Sequence, residues 1–113
     1  METEGAEGVT FRLLIGHRDG APHFAMRHFT VEPGGHTPLH RHPYEHEILV
    51  LSGKALVRSG DTYRGLQVGD ALLVSPQELH QIRNCGDQAL QFICLVPIQF
   101  DCGDGTCRPT PGS

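Results

Sequence analysis

At 113 residues the chain has the size of one domain, and its net charge of −4 with no cluster of Lys and Arg argues against a nucleic-acid surface. No stretch approaches the roughly 20 apolar residues of a membrane helix. The acidic start METEGAEG lacks the basic opening and apolar run of a signal peptide, so a cytoplasmic protein is expected. Fourteen Gly and 8 Pro against 19% charged residues favour many short strands joined by tight turns over a helical bundle.

Residues 1–8 read as a flexible acidic tail, and the folded domain as 9–99. Val9 to Ile15 is a first strand, followed by the turn-rich GHRDGAP. Phe24 to Val31 is β-rich and ends at Pro33-Gly34-Gly35. Glu47 to Leu51 is an apolar run closed by Ser52-Gly53. Ala55 to Arg58 and Thr62 to Val68, joined by Ser59-Gly60-Asp61, read as a hairpin. Ala71 to Val74 follows the Gly69-Asp70 turn and halts at Ser75-Pro76. His80 to Asn84 is a short strand, and Ala89 to Val96 is the last. Turn signals at this spacing, without a sustained helical period, indicate an all-β sandwich or barrel. Residues 100–113, rich in Gly and Pro, read as a second tail. Of the four cysteines none forms a CxxC pair, which suits thiols rather than a disulfide framework. Cys102 and Cys107 are expected to be unengaged, with a second metal or a labile disulfide as alternatives.

Five of the eight histidines, His28, His36, His40, His42 and His46, fall within 19 residues. Residues i and i+2 of a strand share a face, so His40 and His42 can reach one ion between them while Arg41 points away. After the bend at Pro43-Tyr44, His46 shares a face with Ile48 and Val50, and Glu47 with Leu49 and Leu51. Imidazole is the commonest side-chain ligand for transition metals. His80, opening another strand, is the best-placed fourth ligand.

On these residues the chain resembles the cupin superfamily. Its first motif, G-x5-HxH-x3,4-E-x6-G, is matched by Gly34, His40, His42 and Gly53. Its second, G-x5-P-x-G-x2-H-x3-N, is matched by Gly69, His80 and Asn84. Ser75 and Gln77 stand where that motif has Pro and Gly. The resemblance covers roughly Phe24 to Val96 and implies a cupin double-stranded β-helix, or jelly-roll barrel, in a single domain. The motif's glutamate falls on His46, with six residues between it and Gly53. Parity agrees, placing Glu47 outward as an ion-pair or supporting residue. The string GGHTPLHRHPYEHEILVLSG is similar to small cupins with all-histidine sites. That similarity implies a homodimer and one divalent ion of the Mn, Fe, Ni, Cu or Zn type on His40, His42, His46 and His80.

Four neutral imidazoles leave the full +2 charge of such an ion uncompensated, so an anionic or chelating small molecule is the expected partner. Because only neutral imidazole binds metal, occupancy is expected to fall below pH about 6.5. Glu78 stands as a proton-transfer group at the barrel mouth or as a solvated loop acid. Tyr44, Met26, Phe92 and Cys94 are pocket or core residues. The implied functions are a metal-dependent dioxygenase or related oxidoreductase, a binding or sensing module without turnover, and a small-carboxylate decarboxylase.

Overall fold

The computed structural model describes residues 6–100. Eight strands run in chain order: β1 (Glu7–Ile15), β2 (Phe24–His36), β3 (His46–Ser52), β4 (Lys54–Ser59), β5 (Thr62–Gln67), β6 (Ala71–Val74), β7 (His80–Asn84) and β8 (Leu90–Pro97). Two short 3-10 turns, His17–Asp19 and Ile98–Phe100, complete the described elements. The chain is thus all-β, and its strands form the jelly-roll barrel expected of a cupin. Glu7 and Gly8, expected in a tail, already belong to β1 and pair with β2. Cys102 and Cys107 lie outside the described residues, while Cys85 and Cys94 are free thiols.

The pairing order is β5-β4-β7-β2-β8-β3-β6, with β1 on the other edge of β2. β2 makes the barrel turn its corner. Its first half pairs with β8 from Phe24↔Pro97 to Val31↔Leu90, whereas its end pairs with β7 at His36↔Arg83. The reading from sequence stopped this strand before Pro33-Gly34-Gly35, but the strand bends there and continues. Gly34 sits at φ 83, open to glycine at little cost. At Gly35 a Cβ would lie 2.5 Å from the Glu7 carbonyl oxygen. The register with β1 slips at the same place, between Glu7↔His36 and Val9↔Val31, as a bulge requires.

Period-2 alternation then fills the barrel. β8 turns Leu90, Phe92, Cys94 and Val96 inward, β3 turns His46, Ile48 and Val50, and β4 turns Ala55 and Val57. Phe11, Phe29 and Phe92 stack in a column with centroids 5.1 and 5.0 Å apart. Fully burying side chains of this size contributes about 1.5–3 kcal/mol each.

Between the strands, Asn84 ties the turn after β7 to its neighbours. Its Nδ2 donates to the carbonyls of Val31 and Gln88, and its Oδ1 accepts from the Gly86 N–H. Gly53, which closes the first motif, has φ 85, and a Cβ there would meet the Ala89 oxygen at 2.7 Å and Leu90 Cα at 2.9 Å. Both obstacles are backbone. Gly53→Ala is therefore expected to cost about 2–4 kcal/mol, measured as a lowered urea midpoint with unchanged m-value. A loss under about 0.5 kcal/mol would show that the turn yields.

Candidate metal centre

Four histidines from three parts of the chain meet inside the barrel. His40 and His42 lie on the connection after β2, His46 begins β3 and His80 begins β7. All four are buried, His42 to 3% exposure. The ligand atoms of His40, His42 and His80 lie within 4.8 Å of one another. His46 joins them through His42, with its Nε2 2.8 Å from His42 Nε2. Its ring centroid lies 4.2 Å from that of His42 and 5.5 Å from that of His80.

Local structure explains the convergence. His40 and His80 form an isolated antiparallel bridge, each donating its N–H to the other's carbonyl at 3.1 and 2.9 Å. The turn before His80 departs from the family motif at Ser75 and Gln77. Gln77, standing where the motif has Gly, takes φ 65, the only positive φ of a non-glycine among the described residues. Its N–H donates to the His42 carbonyl at 2.7 Å, fastening this turn to the His40–His42 segment. The αL strain at Gln77, about 1–2 kcal/mol, is borne at the site's edge.

Each ring's orientation has a cause. His80 Nδ1 donates to the Glu78 carbonyl at 2.9 Å, which leaves its Nε2 lone pair for the cluster. His46 Nδ1 lies 3.0 Å from Cys94 Sγ, a partner that likewise directs Nε2 inward. Tyr44 stacks face to face on His42 at 4.2 Å, and Phe100 stacks on Tyr44 at 3.9 Å, closing one side.

Burial favours the neutral form of three of the rings. Desolvation by burial lowers His42 from 6.5 to about 4, with the His80 charge adding to it and Arg27 contributing less. Burial lowers His46 to about 2, aided by His42, Arg27, His80 and His40. His80 is also lowered by burial, against opposing contributions from Glu78. Burial raises the Cys94 thiol and the Tyr44 hydroxyl. Buried imidazoles gathered in this way, with the ligand atoms of His40, His42 and His80 within 4.8 Å of one another and His46 against His42, are the kind of donor set that suits a divalent transition metal. His42 and His46 Nε2 stand 2.8 Å apart, a separation at which one ring N–H donates to the other, so the two rings are already side by side at the cluster. The residues present fit such an ion.

The cluster lies against a cavity of about 50 Å³ whose other walls include Phe29, Ile48, Ile82 and Phe92. Of the supporting residues expected from sequence, Tyr44, Phe92 and Cys94 line this cavity. Glu47 does not, because it is exposed on the opposite face of β3. Glu78 does not either: its carboxylate accepts from the Ser75 N–H at 2.8 Å and from the Ser59 hydroxyl, pinning the turn before His80. Met26 is corrected to the outer face of β2. Ala25, Arg27, Phe29 and Val31 take the inner face, so strand parity excludes Met26 from the cavity.

Arg27 is the residue that sequence reasoning missed. It is 6% exposed and lines the cavity. Its guanidinium carbon sits 5.6 and 5.2 Å from the Phe11 and Phe29 ring centroids, and its Nη2 is 3.6 Å from Cys94 Sγ. The signal was the parity of Phe29 and Val31, which forces Arg27 inward, against the general rule that arginine stays outside.

Known proteins agree with this architecture. The cupin domain family model matches residues 27–96, and the chain belongs to that family. Among curated proteins it is 33% identical over 76 residues to 1-methylthio-D-xylulose 5-phosphate methylsulfurylase of Rhodospirillum rubrum. That match covers 67% of this chain, but the chain spans only about half (49%) of the relative's length. Among solved structures, the polyketide cyclase RemF from Streptomyces resistomycificus superposes with TM-score 0.79 at 33% identity, covering 87% of this chain and 70% of that one. A cupin 2 domain-containing protein from Halorhodospira halophila gives 0.76 at 37% identity, covering 83% and 69%.

Proposed function

We propose that His40, His42, His46 and His80 hold one divalent transition metal, and that the protein is a metal-dependent oxidoreductase of the dioxygenase type acting on a small chelating organic substrate. The observation that carries this reading is the convergence of four buried imidazoles on one small, mostly apolar cavity. When bound, the ion would supply Lewis-acid or redox chemistry toward a small chelating substrate. The protein's own part is to hold the rings neutral and aimed, and to exclude bulk water with Phe29, Phe92, Tyr44 and Ile48.

A second reading, Lewis-acid turnover of an enolisable carbonyl compound without dioxygen, is favoured by the likeness to a polyketide cyclase and a methylsulfurylase. The free thiols Cys85 and Cys94 suit a reducing, cytoplasmic setting. The family resemblance supports a homodimer.

An oxygen electrode separates the readings. Protein loaded with Fe, Mn, Ni or Cu is offered small diketones, enols and thiols. Metal-dependent oxygen uptake that disappears in His42→Ala is expected. Product formed equally well under argon would favour the Lewis-acid reading. Ligand-dependent thermal stabilisation without any product would leave a binding or sensing module.

A further inference from the structure

Arg27 gives the cavity a second pole. Among the described residues lining that space it is the one arginine, lysine, aspartate or glutamate. The Arg27 guanidinium is held at 6% exposure over two phenyl rings. Beside four imidazoles its charge adds to that of any divalent ion instead of balancing it. Cys94 Sγ touches both Arg27 Nη2 and His46 Nδ1, so guanidinium and cluster are adjacent across a single atom. An arrangement with two positive poles this close, in about 50 Å³, suits a ligand with two oxygen functions on neighbouring carbons.

We propose that Arg27 is the specificity-determining residue of the cavity and selects a small 2-oxo or 2-hydroxy carboxylate, its carboxylate on the guanidinium and its adjacent oxygen toward the histidines. This rests on the metal reading above. The planar fork of arginine matches a carboxylate through two parallel N–H···O contacts, which a lysine cannot reproduce. A single arginine in a space so small and apolar suits a monoanion better than a phosphate dianion, which calls for several donors. Phe29 and Phe92, parallel to within 5°, wall the cavity for the flat carbon part.

The test is calorimetric, on nickel-loaded protein titrated with pyruvate and with hydroxyacetone, in which a neutral CH2OH group replaces the carboxylate. Wild type is expected to bind pyruvate at least tenfold more tightly than the ketol. Arg27→Met, which preserves length and packing, is expected to lose pyruvate affinity at least tenfold and to change ketol affinity less than twofold. Arg27→Lys, which keeps the charge and guards against a folding defect in the first variant, is expected to fall between them. Equal pyruvate affinity in wild type and either variant overturns the proposal, as does a wild type that does not prefer pyruvate to the ketol. Elemental analysis of the same samples distinguishes the two levels of inference. Wild type that takes up no nickel overturns the metal centre, and this proposal with it. Wild type that retains nickel yet ignores pyruvate overturns only the carboxylate assignment.

Discussion

His46→Ala is expected to weaken nickel binding at least a hundredfold, whereas Glu47→Ala changes it less than twofold. The two residues are neighbours, and the family motif ordinarily supplies a carboxylate at this point. Pleating decides between them. His46 is buried with its Nε2 2.8 Å from His42 Nε2, while Glu47 is exposed on the other face of β3. An exposed carboxylate on the far side of a strand cannot reach an ion on the near side. Losing one of four nitrogen ligands removes a whole coordinate bond, which exceeds the 10–100-fold typical of losing a supporting contact. Competition against a chromophoric chelator reads both affinities. A large loss in Glu47→Ala with none in His46→Ala would restore the three-histidine, one-carboxylate site. Cys94→Ser isolates the supporting contact to His46 Nδ1 in the same assay.

Acid should destabilise the metal-free protein well before its carboxylates titrate. An unfolded histidine titrates near 6.5, but in the folded barrel burial holds His42 near 4, His46 near 2 and His80 below its ordinary value. Between pH 6.5 and 4 the unfolded chain therefore binds protons that the folded chain refuses. Stability is full above pH 6.5 and falls as pH drops toward the folded values. His42 alone accounts for roughly 3 kcal/mol across its window, by the factor of 1.36 kcal/mol per pH unit. Urea midpoints at pH 7.5 and 4.5 in a chelating buffer measure the loss, and His42→Phe should flatten it. A stability that is level across this window would show that the rings are already charged in the folded state. The same shifts bear on metal occupancy, which is expected to fall on acidification below pH about 6.5, the more lowered rings yielding last. In the folded protein, proton competition at His42 begins closer to pH 4.

What was legible in the sequence was whatever local chemistry determines. The bounds of β6 and β7 were read to the residue, because Gly69-Asp70, Ser75-Pro76 and Cys85-Gly86 punctuate them sharply. Spacing to Gly53 and strand parity gave the same inward residue, His46, that the barrel buries. Two features depended on partners distant in the chain. The corner in β2 looks like a stop locally and becomes a continuation only because β1 and β7 pair on either side of it. Arg27 has the wrong chemistry for an inner face. Only the Phe29–Phe92 stack and Cys94, contributed by β8 more than sixty residues later, make its position visible.

The reciprocal backbone bridge between His40 and His80 bears on how an ion comes and goes. Peptide groups, not the ion, hold two of its four proposed ligands at their separation. That pair of imidazoles is therefore set in place by the fold of the chain itself, before any ion arrives, so the cost of bringing them together is met in folding and not in binding.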